Sequence, residues 1–82
     1  MKTKTIDIDG KSYAIREISM EEGMPLINPD NGRMDIPALI RIATAIDGKP
    51  AQPGEISMGV GMKLMPLVMD LNSFSGGEAG NA

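Results

Sequence analysis

The chain has no cysteine, no histidine and no tryptophan, and its 82 residues hold one tyrosine, Tyr13, and one phenylalanine, Phe74. Without Cys or His it has no thiolate or imidazole for a zinc site, no catalytic Cys, no Ser-His-Asp triad and no disulfide framework. Absence of Cys agrees with a reducing compartment. Clustered positive charge is also lacking. Eight Lys and Arg are scattered singly against eleven Asp and Glu, for a net charge of −3. No cationic face can be drawn that would release counterions from DNA or RNA, so no nucleic acid partner is expected. Long apolar runs are missing as well. The longest, Met58 to Met69, is interrupted by Gly, Lys63 and Pro66 and is far short of the roughly 20 residues that cross a bilayer. At the N-terminus, acid-bearing Ile6-Asp-Ile-Asp9 stands where a signal peptide would need an unbroken apolar stretch. The sequence therefore predicts a soluble cytoplasmic protein with no membrane partner.

At this length only one small domain with a thin core is expected, because so short a chain buries only about 60% of its unfolded surface. The fold class expected is α+β: an N-terminal β-hairpin packed on about three α-helices over residues 1–73, with a disordered Gly-rich tail over 74–82. Two alternating runs, Lys4 to Ile8 and Lys11 to Arg16, flank Asp9-Gly10, a strong two-residue hairpin signal. That turn sets Ile8 against Lys11, Ile6 against Tyr13 and Lys4 against Ile15. Ile6, Ile8, Tyr13 and Ile15 then share a core face, and Thr5, Asp7, Ser12, Ala14 and Arg16 a wet one. Ser19-Met-Glu-Glu22 matches a capping box, so a short helix starts near Met20 and is curtailed by Gly23, Pro25 and the turn-rich Asn28-Pro-Asp-Asn-Gly32. With Asp35 as N-cap and Gly48-Lys-Pro50 as a stop, the spacing predicts a second helix over Ile36 to Asp47. Its core side is Ile36, Leu39, Ile40, Ile42, Ala43 and Ile46, with Ala38, Arg41, Thr44 and Ala45 opposite.

The third helix is expected over Glu55 to Asn72 despite Gly59, Gly61 and Pro66, with a kink at Pro66. At about 100° per residue, Met62, Met65 and Met69 project within about 40° of Met58, while Ile56, Val60, Leu64, Leu67, Val68 and Leu71 fall on the far side. One face is aliphatic and the other is made of Met alone. Two readings of that stripe stand side by side. Met fills gaps in a core sandwiched between elements, or it forms an adaptable surface for a partner helix, since its unbranched, polarizable side chain suits promiscuous contacts.

Catalytic candidates reduce to carboxylates. Asp7 and Asp9 lie two apart, but Asp9 serves the turn and Asp7 the wet face. Glu21 and Glu22 belong to a cap, Asp30 to a loop without calcium-loop spacing, and Asp35 to an N-cap. Gly54, Gly59 and Gly61 fit no phosphate-binding pattern. No enzyme, cofactor or metal is expected, and Met58, Met62, Met65 and Met69 are the candidate protein-binding residues.

The order of parts carries a resemblance. The Asp9-Gly10 hairpin leads through Tyr13-Ala-Ile-Arg-Glu-Ile-Ser19 into a capped helix. Ala38-Leu-Ile and Ala45-Ile-Asp-Gly-Lys49 follow, and then a last helix ending Leu71-Asn72. Over residues 3–73 this resembles the small tail assembly chaperones of long-tailed bacteriophages and prophages. The resemblance implies a non-enzymatic chaperone in the bacterial host cytoplasm, absent from the mature virion. It would bind and solubilise the helical tape measure protein and assist tail tube assembly; many members are also expressed with a frameshifted C-terminal extension that engages the tube protein, so the major tail tube protein is a possible second partner. The competing expectation is a structural tail or head-tail subunit that self-associates through the same apolar helix face.

Overall fold

The computed structural model describes residues 2–72. Asp9 and Gly10 hold φ of 51° and 83°, the pair of positive values that a type I′ turn requires and that matches the natural twist of two strands. Strands β1 (Thr3–Ile8) and β2 (Lys11–Arg16) leave this turn antiparallel, with Ile8 opposite Lys11, Ile6 opposite Tyr13 and Lys4 opposite Ile15. The register is the one the turn dictates.

Helix α1 (Met20–Gly23) is a single turn continued by a 3₁₀ turn over Met24–Leu26. Its capping box is complete: the Ser19 Oγ accepts from Glu22 N at 3.2 Å, and a Glu22 carboxylate oxygen accepts from Ser19 N at 2.9 Å. Helix α2 (Ile36–Ala43) begins at Asp35, whose side chain accepts from Ala38 N at 3.2 Å.

The second helix is shorter than its pattern predicts. It stops at Ala43 and the chain turns directly into β3 (Thr44–Ile46), then β4 (Lys49–Pro50), around Asp47 and Gly48 with φ of 50° and 84°. What reads as a helix stop is a second Asp-Gly hairpin. β3 pairs with the free side of β2, Tyr13 opposite Ile46 and Ile15 opposite Thr44, giving a four-stranded antiparallel sheet in the order β1-β2-β3-β4. Three further residues of helix would have satisfied only their own backbone, whereas as a strand they also complete the β2 ladder. Thr44, placed on a solvated helix back by its spacing, is instead buried on the inner sheet face and its Oγ1 donates to Ile40 O at 2.6 Å. Asp47 pins the new turn to β2: its Oδ1 accepts from Ser12 N at 2.9 Å, and its N–H donates to Ser12 O at 2.8 Å.

Helix α3 (Met58–Leu71) starts three residues later than predicted, because Ser57 caps it by accepting from Val60 N at 3.3 Å. It runs through Pro66 without a break in its helical span. Pro66 has no N–H to give the preceding turn, a loss tolerated where the helix is otherwise anchored. α2 and α3 lie on one face of the sheet. Ile8, Tyr13, Ile15 and Ile46 from the sheet close over Leu39, Ile40 and Ala43 from α2 and Leu64 and Val68 from α3, and Ala51 is buried in the same cluster. The opposite sheet face carries Thr5, Asp7, Ser12, Ala14 and Ala45, none of them buried. The architecture is thus α+β in two layers, with a sheet larger than the hairpin expected. The predicted 74–82 tail lies outside the described residues, and among those described no helix is long and apolar enough to cross a membrane.

Candidate functional site

Two polar clamps tie the helices to the sheet, one on α3 and one on α1 and α2. At its C-terminal end the Asn72 Oδ1 accepts from Ile18 N at 2.9 Å while its Nδ2 donates to Val68 O at 2.9 Å, so one side chain both closes the helix and ties it to the end of β2. Arg16, on β2, forks onto Glu22 of α1 with contacts of 2.9 and 2.6 Å and reaches Ile42 O at the end of α2 at 3.4 Å. That guanidinium and the Ser19 backbone amide together hold the Glu22 carboxyl down to about 2, against an ordinary 4.5, and the same hydrogen bond to Glu22 raises the Arg16 pKa. The Tyr13-to-Ser19 passage and the Leu71-Asn72 ending therefore consist largely of residues that fix helices to the sheet.

With the C-terminal end of α3 anchored, its N-terminal half lies beside α2 with one side open. The core side is complete: Leu64 and Val68 are fully buried. On the far side the four Met residues separate into two pairs. Met58 is 81% exposed and Met62 55% exposed, whereas Met65 and Met69 are partly buried against the core. Both sequence readings of the stripe describe part of it, core filling toward Met69 and open surface toward Met58.

Met58, Met62 and Met65 line one wall of an open groove of about 510 Å³, and Ile36, Pro37 and Ile40 of α2 line the other. Met69 is not among the lining residues. Gly61 brings the α3 backbone to the groove surface beside Ile56, which also lines it; a Cβ on Gly61 would come within 3.7 Å of Ile56 Cγ2. Asp35 at the start of α2 and Arg41 near its end place opposite charges along the rim. The Met residues were legible as a stripe at helical spacing. The α2 wall was not, since Ile36 and Ile40 read only as core; their positions at the first turns of a Pro37-bearing helix, followed in the chain by Pro53-Gly54, were the sole local signs.

The groove has the form of a site for an apolar side-chain row. Met58 and Met65 are seven residues, about 10.5 Å, apart on the helix axis, which matches two turns of an incoming helix presenting anchors at i, i+3 or i+4, and i+7. Among the described residues no three His, Cys, Asp or Glu side chains gather where they could hold a metal ion. Compared with protein-family models, with curated proteins and with solved structures, the chain matches none of them.

Proposed function

We propose that this protein is a non-enzymatic tail assembly chaperone whose α2–α3 groove takes an amphipathic helical segment of the tape measure protein, masking its apolar seam until the tube protein assembles around it. The observation that carries the reading is the open Met58–Met62 wall on a helix whose other side already supplies the core. An apolar surface beyond what the core needs costs solubility unless it is covered by a partner, and Met is the side chain that adapts to a seam of varying shape. The choice of client is supported by the order of parts that resembles the tail assembly chaperones. The Asp35 and Arg41 rim charges favour a segment bearing a basic residue near one end and an acidic one near the other.

Co-expression tests this. A tape measure protein that sediments when expressed alone stays in the supernatant with the wild-type chain and returns to the pellet with the Met58→Glu/Met62→Glu variant. Failure of the wild type to hold it in solution overturns the function. Equal protection by the folded double variant overturns the site.

A further inference from the structure

Lack of Cys and His removes thiolate and imidazole as metal donors, but the chain keeps the thioether sulfurs of eight Met. Three of those sulfurs belong to one cavity. Met58, Met62 and Met65 line the α2–α3 groove together, whereas Met20, Met24, Met34 and Met69 lie outside it. Spacings of four and three residues place the three within about 60° of arc and about 10.5 Å of axial rise, with Met62 between the other two. Each side chain is unbranched and turns about several single bonds, so sulfurs rooted this close can swing to a common point. Met58 and Met62 reach water while Met65 packs against the core, and the facing wall is Ile36, Pro37 and Ile40. An ion can enter from the open side and rest among sulfur and hydrocarbon.

The donor set decides which ion. The other polar groups of the groove are few and mostly engaged. Asp35 Oδ1 accepts from Ala38 N at 3.2 Å and Ser57 Oγ from Val60 N at 3.3 Å, both as helix caps. Gln52 Nε2 donates to Pro50 O at 3.3 Å, and Arg41 is itself a cation. One carboxylate is far short of the roughly six to eight oxygens that calcium takes, and zinc finds neither thiolate nor imidazole. Neutral thioethers suit a soft ion of low charge. We propose that Met58, Met62 and Met65 form a three-sulfur site for a soft monovalent cation of the copper(I) class. Binding is coordination alone, with no electron transferred. It does not rest on the proposed function, since the sulfurs hold the ion whether or not a helix enters the groove.

Met20 and Met24 are the comparison within the same molecule: they too are exposed and four residues apart, but lie outside the groove. Silver(I), soft and stable in its oxidation state, is the first probe, in nitrate buffer free of chloride and thiols. With ¹³C-labelled Met methyl groups, Met58, Met62 and Met65 should shift together and saturate at one silver per chain before Met20 and Met24 move. Copper(I) kept reduced under argon should give the same pattern, and zinc(II) should leave all five in place. Met62→Leu keeps an apolar side chain of similar volume in the wall, so circular dichroism should be unchanged while the affinity at the two remaining groove sulfurs falls to that of Met20 and Met24. Met58→Leu, at the most exposed of the three positions, should do the same without touching the core. No shift with silver, simultaneous shifts at Met20 and Met24, or an affinity unchanged in both folded Leu variants overturns the site. An equal response to zinc(II), or silver binding that copper(I) does not reproduce, overturns the class of ion.

Discussion

Leu64 and Met58 sit on one helix, six residues and therefore about 240° apart, and they should respond to truncation in opposite ways. Leu64 is fully buried against the sheet and α2, and Met58 is 81% exposed. Leu64→Ala removes three carbons at about 0.8 kcal/mol each and leaves a cavity lined by residues that relax only in part, so a loss of about 3 kcal/mol is expected, within the range of about 2 to 5 for such changes. Met58→Ala removes a side chain that already lies mostly in water, and its effect should stay within about 0.5 kcal/mol. For a domain of this size each kcal/mol moves the midpoint by about 4 to 8 °C. Thermal unfolding followed by circular dichroism should therefore place Leu64→Ala about 12 to 24 °C below the wild type and Met58→Ala close to it. Equal shifts for the two variants would refute the division of α3 into a core side and an open side, and with it the basis for the groove.

Two glycines should also diverge: Gly48→Ala forces a left-handed φ of 84° on a residue with a Cβ and should cost about 1 kcal/mol or more, whereas Gly59→Ala, with nothing within 4 Å of the added Cβ, should stabilise α3 by about 0.5 to 1 kcal/mol in urea unfolding. The Arg16–Glu22 clamp sets an acid limb. Glu22 is held down to about 2 from 4.5, so the folded state binds that proton less readily than the unfolded chain; its stabilisation is present above about pH 4.5 and is lost as pH falls toward 2. Glu22→Gln should flatten that limb of the stability curve and leave a lower plateau at neutral pH, and an unchanged slope would contradict the clamp.

Local chemistry with one strong solution was readable directly. Asp9-Gly10 specifies its turn and hence the β1–β2 register, and Ser19 and Asp35 cap their helices because a short oxygen-bearing side chain before an apolar periodic run has few other uses. The second Asp-Gly was masked by competition. From Ile36 to Ile46 the apolar spacing fits a 3.6-residue period, but Thr44-Ala45-Ile46 also alternates with period 2, and three residues are too few for periodicity alone to choose. What chose was the unpaired side of β2, a tertiary demand invisible in the segment itself. The Asp47-Gly48 pair between Thr44-Ala45-Ile46 and Lys49-Pro50 was the legible sign, the same one that fixes the first hairpin. The groove divides likewise. Its Met wall follows from spacing within one helix, while its α2 wall depends on how two helices meet on the sheet, where Asn72 ties α3 to Ile18 and Arg16 reaches Ile42 O of α2, each across more than twenty residues of sequence.

If the open Met side of α3 and the first turns of α2 form one surface for an incoming helix, as proposed, the methionines are native probes of it. With ¹³C-labelled Met methyl groups, titration with a helical segment of the tape measure protein should shift Met58, Met62 and Met65 and leave Met20 and Met24 in place, although the last two are exposed as well. Shifts at Met20 and Met24 with Met58 and Met62 unmoved would contradict it.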